Sequence, residues 1–165
     1  MCTTEILEPG QDRNIAALTV HFRVCFFYGG YMDIAIIERE LDKLINKALK
    51  YDEVPVAALI VKNNKIIAKG YNKVNKKNNF MMHAEIIAIK KAIKKEKNWR
   101  LNDCELYITL EPCSMCREII KKARIKDVYY FSKQNNYKTE SDPTYNYINN
   151  DNFSKRLSTF FKNKR

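Results

Sequence analysis

A three-layer α/β/α sandwich with a central mixed sheet is the fold class that this chain predicts, and three observations predict it. Helix-period and strand-period hydrophobic patterns alternate along the sequence. The connections between successive core strands are long enough to hold helices, which places helices on both faces of the sheet. A length of 165 residues supports one hydrophobic core and is short for two domains. The expected organisation is an N-terminal extension over residues 1–31 and a single catalytic domain over residues 32–165.

Residues 1–31 differ from the rest, with Pro9-Gly10 and Gly29-Gly30 punctuating a β-prone apolar run. The run from Ile15 to Tyr28 contains His21 and Arg23 and is too short to span a bilayer. Without a basic leader or a small-residue cleavage pattern it does not read as a signal peptide, so no membrane association is expected. From Asp33, a capping residue, Ile34, Ile37, Leu41, Leu44 and Ala48 recur at helical spacing to about Lys50. Pro55 to Val61 and Ile66 to Tyr71 flank the turn Lys62-Asn63-Asn64-Lys65 and predict a hairpin. The basic stretch from Lys73 to Asn79 predicts a loop.

A helix follows from about His83 to Lys95, with Ile86, Ile89, Ala92 and Ile93 facing inward. Cys104 to Leu110 alternates as a strand that Glu111-Pro112 ends. Ser114 to Ala123 then predicts a second amphipathic helix, and Asp127 to Phe131 a further strand. Lys133 to Asn152 has no clear periodicity, while Leu157, Phe160 and Phe161 predict a short terminal helix.

Thirty Lys and Arg against 19 Asp and Glu give a formal charge of +11, which favours a polyanionic partner. The Lys and Asn residues crowd the whole chain, so composition accounts for part of that excess. Five cysteines, two of them spaced C-x-x-C, fit a metal site in a reducing compartment better than a disulfide framework, which makes the cytoplasm the expected location. Cys25 and Cys104 read as buried small hydrophobes.

The chemistry concentrates in His83-Ala84-Glu85 and Pro112-Cys113-Ser114-Met115-Cys116. Two cysteines three residues apart at a helix start present both sulfurs on one side, where the positive helix end favours thiolates. His83 supplies a third zinc ligand, and the fourth position stays open for water, as a catalytic zinc requires. Glu85, two residues past the histidine, is placed to carry the proton of that water. The pattern describes hydrolytic deamination of a nucleobase with one Zn2+ per subunit. A structural zinc would need a fourth protein ligand, and a redox pair would leave His83-Ala84-Glu85 without a purpose. The only other histidine, His21, lies in an unrelated segment.

These motifs resemble the cytidine deaminase-like superfamily, and within it the bacterial-type tRNA adenosine deaminases that convert wobble adenosine to inosine. The resemblance runs over residues 33 to 131 and resumes at Leu157 to Arg165. It is carried by Asp52-Glu53-Val54-Pro55-Val56-Ala57, Gly70-Tyr71-Asn72, His83-Ala84-Glu85-Ile86, Trp99-Arg100-Leu101 and Leu106 through Cys116. It implies that Asn72 hydrogen-bonds the base, that Val56 and Ala57 line the pocket floor, and that the backbone near Ala84 fixes the ring. It also implies a homodimer and a tRNA substrate. Phe80 is placed to stack on a flanking nucleotide, and Lys73, Lys76, Lys77, Arg117, Lys121, Lys122 and Lys126 are candidate phosphate contacts.

Three departures bear on the substrate. Asn79-Phe80-Met81-Met82 stands where the family has Asp-Pro-Thr and a small residue. Phe131-Ser132-Lys133-Gln134-Asn135-Asn136 replaces a segment that includes an acid, and the shortened region before the final helix leaves the family's last strand reduced or absent. The expected function is zinc-dependent deamination of adenosine in tRNA. The alternatives are a deaminase of cytosine, guanine or a small nucleoside or nucleotide, and a noncatalytic RNA-binding or assembly subunit.

Overall fold

The computed structural model describes residues 32–134 and 143–164. The proposed N-terminal extension, with Cys25 and His21, lies outside the described residues. The first helix, α1, spans Ile34–Lys50. Asp33 caps it, its carboxylate accepting from the Ala35 N–H at 2.9 Å, and Lys47 and Lys50 occupy the last turn, where the helix dipole favours cations. Ile37, Leu41, Leu44, Ile45 and Ala48 form its buried stripe. Each such aliphatic side chain contributes roughly 1.5–3 kcal/mol when fully buried.

Strands β1 (Ala57–Lys62) and β2 (Lys65–Tyr71) pair antiparallel. Asn63 and Asn64 join them with φ of 49° and 57°, the left-handed pair that a two-residue hairpin with native twist requires and that asparagine tolerates. Next come the short helix α2 (Val74–Lys77), helix α3 (Ala84–Glu96) and strand β3 (Cys104–Ile108). Helix α4 (Ser114–Lys122), strands β4 (Asp127–Tyr130) and β5 (Thr144–Tyr147), and helix α5 (Asp151–Lys162) complete the order.

The sheet runs β2-β1-β3-β4-β5, with β1 antiparallel to both β2 and β3, and with β3, β4 and β5 parallel. Alternate residues of β1 enter different cores. Ala58 and Ile60 pack with Ala84, Ala88 and Ile89 of α3 and Ile120 of α4. Ala57, Leu59 and Val61 pack with Ile37 and Leu41 of α1 and Phe153 of α5. A strand covered on both faces reads as a continuous apolar run, which is how β1 reads in the sequence. The two cores make this the expected three-layer sandwich. Arg156 bridges α5 to Asp42 of α1 at 2.6 Å and also meets Asn46, while the Asn150 amide donates to Glu38 at 2.8 Å.

Three expectations change. The stretch expected to be a loop, Lys73 to Asn79, contains α2. The last strand, expected to be reduced or absent, narrows to the first of these alternatives, present as the four-residue β5. Its Thr-Tyr-Asn-Tyr sequence lies at a sheet edge, and its polar–aromatic alternation lasts only four residues and includes no aliphatic side chain, too little to single it out. The terminal helix begins at Asp151, ahead of its first apolar periodicity, because the Asn150 side chain accepts from the Asn152 and Phe153 N–H groups. Among the described residues no helix is long and apolar enough to cross a membrane.

Candidate active site

A glycine sets the distance between the sheet and the helix that carries the chemistry. A β-carbon on Gly70 would stand 2.1 Å from the Ala84 carbonyl oxygen and 2.9 Å from the Ala88 nitrogen, so β2 and α3 meet backbone to backbone there. That contact fixes the first turn of α3. His83 is the N-cap residue of α3 and Cys113 the N-cap residue of α4, and neither uses its side chain for capping. Both side chains are therefore free to converge, with two positive helix ends beside them.

Nδ1 of His83 lies 3.8 Å from Sγ of Cys113 and 3.5 Å from Sγ of Cys116, and all three atoms lie within 4.8 Å of one another. Ligand bonds of about 2.3 Å to sulfur and about 2.0–2.1 Å to nitrogen in a tetrahedron separate the two ligand atoms by about 3.6 Å. The observed spacing fits zinc. Hydrogen bonding from Cys116 first, and from His83 second, pulls the Cys113 thiol down to about 4, so a thiolate is available at neutral pH. Cys113 in turn pushes the Cys116 thiol up, so the pair shares a proton, and the hydrogen bond to Cys113 raises His83.

Glu85, in the first turn of α3, is only 4% exposed. Desolvation is the main cause that raises its carboxyl above the ordinary range. Ala84 beside it is fully buried.

Asn72 follows β2 and is buried, its N–H donating to the Val56 carbonyl at 3.0 Å. Its amide nitrogen donates to Glu53 at 3.2 Å. Glu53 is fully buried and also accepts from the N–H groups of Asn75 at 3.2 Å and Lys76 at 2.6 Å, capping α2 in place of Lys73, which makes no side-chain cap bond. Sequence reasoning gave this residue no role, quoting it only within the stretch Asp52 to Ala57 that carries the family resemblance. The available signal was a carboxylate next to the apolar run that starts at Val54.

Val56 packs in the α3 core with Ala84. Ala57 does not share that face. Its side chain sits under α1, and its N–H donates to the Thr109 hydroxyl at 3.0 Å. Strand alternation puts neighbours on opposite faces, so the expected two-residue pocket floor divides. Phe80 is 68% exposed and free to stack on a ligand.

The candidate phosphate contacts also divide. Lys73 and Lys76 lie over the rings of Tyr71 and Tyr51, at 4.5 and 3.4 Å, and Lys77 is exposed in the same segment. Lys121 and Lys122 end α4, and the exposed Lys126 follows, at the end of the helix away from Cys113. Arg117 is not a surface cation. It bonds Glu111 at 2.7 Å and the Pro112 carbonyl at 3.1 Å, lies 4.2 Å from the Tyr145 ring centre, and is mostly buried. The second carboxylate oxygen of Glu111 accepts from the Gln134 N–H at 2.9 Å. Glu111 and Arg117 thus brace the cysteine turn against the segment after β4.

A family model, the cytidine and deoxycytidylate deaminase zinc-binding region, matches residues 35–132. A tRNA-specific adenosine deaminase of Rickettsia bellii is 46% identical over 94 residues, 56% of this chain and 65% of that relative. The chain spans less than two thirds of the length of such curated relatives. A structure from a study of A-to-I editing by tRNA:A34 deaminases at the wobble position superposes with a TM-score of 0.62 at 28% identity, covering 70% of this chain and all of that one. Guanine deaminase from Bacillus subtilis superposes with a TM-score of 0.54 at 39% identity over 58% of this chain and 64% of that one. With the match covering both halves of the ligand set, the chain belongs to the cytidine and deoxycytidylate deaminase zinc-binding family.

Proposed function

We propose that this protein hydrolytically deaminates adenosine to inosine in tRNA, at the wobble position, with one zinc ion per chain. The observation that carries the reaction is a buried Glu85 with a raised carboxyl beside three convergent zinc ligands. The names of the relatives support the substrate. His83, Cys113 and Cys116 would hold the zinc, which would supply Lewis-acid activation of a water near neutral pH. Glu85 accepts one proton of the attacking water and delivers it to the ring nitrogen, then passes the remaining hydroxyl proton to the amine, which departs as ammonia. Asn72 hydrogen-bonds the base, with Val56 and the backbone of Ala84 beside it. Phe80 stacks on a neighbouring nucleotide, and Lys73, Lys76 and Lys77 meet phosphates. An anticodon loop suits such a pocket because its bases are already unpaired. The protein works as a homodimer in the cytoplasm.

A second reading, deamination of free guanine, is favoured by the likeness to guanine deaminase. One experiment separates them: zinc-loaded protein is offered an anticodon hairpin with wobble adenosine, free adenosine, cytidine and guanine, and product and ammonia are measured. Inosine formed only in the hairpin supports the tRNA reading. Turnover of guanine or of a free nucleoside overturns it, and a fully zinc-loaded but silent protein points to a noncatalytic subunit.

A further inference from the structure

We propose that Glu53 is a positioning residue that decides which way round Asn72 presents its amide to the base, and so the orientation in which a base enters. This deepens the reading above and rests on the contact between Asn72 and the base. Glu53 is fully buried and 19 residues away from Asn72 in sequence. Its Oε2 accepts from the Asn72 amide nitrogen and the Asn75 N–H, both at 3.2 Å, and its Oε1 accepts from the Lys76 N–H at 2.6 Å. With backbone donors already on both oxygens, the carboxylate can face only a further donor.

The Asn72 amide is therefore not free to flip. Turned over, its Oδ1 would stand against Oε2, acceptor against acceptor, at a site with almost no water to separate them. In the observed orientation one amide N–H is spent on Glu53, which leaves Oδ1 and the second N–H for the base. Acceptor and donor are then offered in a fixed order, and a base that matches that order brings one carbon to the metal. A base bound to a flipped amide would match the reversed order and present the wrong atom. The backbone of this region is tied as well. The Lys73 N–H donates to the Met82 carbonyl at 3.0 Å, so the α2 segment capped by Glu53 closes against the residue before His83.

A structural role and a positioning role separate through a paired exchange. Glu53→Gln puts an amide beside Asn72 and lets the asparagine turn. Combining Glu53→Gln with Asn72→Asp restores a matched donor and acceptor with the polarity reversed, and removes the donor that Asn72 offers the base. The expected result for Glu53→Gln is a zinc content near that of the wild type and a melting temperature lowered, because one backbone N–H loses its acceptor, with kcat/KM per folded, zinc-loaded protein on the wobble-adenosine hairpin reduced about 10–100-fold, mainly in kcat, as expected for a misoriented base. The double variant is expected to keep fold and zinc while staying at least about tenfold impaired.

Recovery of wild-type kcat/KM in the double variant would overturn the proposal. A Glu53→Gln defect that merely tracks lost zinc or folded fraction would do the same. A second readout is calorimetric binding of a hairpin with purine riboside in place of the wobble adenosine, which needs no turnover. If the wild type binds this hairpin but deaminates nothing, the functional reading fails, and a tenfold loss of affinity in Glu53→Gln still supports the positioning role. Equal affinity overturns it, and no binding by the wild type overturns both.

Discussion

Under the proposed function one buried carboxyl, that of Glu85, would carry the reaction's proton chemistry, so replacing it should separate chemistry from structure. Glu85→Gln keeps the shape and is expected to lower turnover by about 10²–10⁴-fold with zinc content unchanged, measured as ammonia release beside metal analysis. Retained turnover would sink its assignment. Glu40 shows how little a surface carboxylate contributes by contrast. Hydrogen bonds from Lys43 at 2.6 Å and Lys69 at 2.5 Å hold its carboxyl down to about 2. A folded-state value below the unfolded one stabilises the protein fully above about pH 4.5, and the effect is lost as pH falls towards 2. Both lysines are well exposed, so the gain is under about 1 kcal/mol. Thermal melts of Glu40→Gln against wild type should show a small gap at pH 6 that closes on acidification; a widening gap would contradict the account. At this scale His83, Glu85, Cys113 and Cys116 were legible because each ligand pattern is local. Glu53 was not, because the groups that give it a purpose lie 19 to 23 residues further on.

Helices and strands place these residues, and Gly70 is the tightest point of that placement. Gly70→Ala drives a methyl group into the backbone of α3 at Ala84, which must move the turn carrying His83 and Glu85. The expected cost is about 1–3 kcal/mol of stability together with a loss of zinc affinity, read by denaturant unfolding and metal competition. A variant with native zinc affinity would show that the close approach does not govern the site. The cysteine turn depends on Glu111 and Arg117 in a similar way. Arg117→Ala strands a buried carboxylate and should cost about 3–5 kcal/mol, read by the same unfolding measurement, whereas loss of a mere phosphate contact would leave stability near that of the wild type. Helix α1 was legible because its Asp33 cap and its apolar spacing agree, and α3 and α4 because of apolar spacing without a side-chain cap. Helix α2 and strand β5 were not, since a distant carboxylate caps one and the parallel neighbour β4 holds the other in register.

Over the whole molecule the charge excess divides by position. The sheet and helices carry Lys77 near the His83 segment and Lys122 to the far end of α4. Under the tRNA reading, Lys77→Glu should weaken hairpin binding and reduce the slope of log affinity against log salt by about 1. Lys122→Glu should change little, because a cation in the last turn of α4 answers the helix dipole there. Equal effects from the two substitutions would show a diffuse attraction without a defined path for the RNA. The sequence could report the amount of charge but not this division, because lysines on one helix and its flanking loop read alike until the helix axis gives them opposite ends.

Composition and local spacing alone pointed to an α/β fold, to three residues able to hold zinc and to an acid beside them. They could do so because ligand spacing and helix caps are written within a few neighbouring residues. Tertiary structure decided what depends on distant parts of the chain: the division of Val56 and Ala57 between two cores, the withdrawal of Arg117 into a buried ion pair, the presence of β5, and the hold of Glu53 on Asn72. Burial, pairing and approach between segments have no local signature, since the same side chain serves as surface charge or internal tie according to what folds against it.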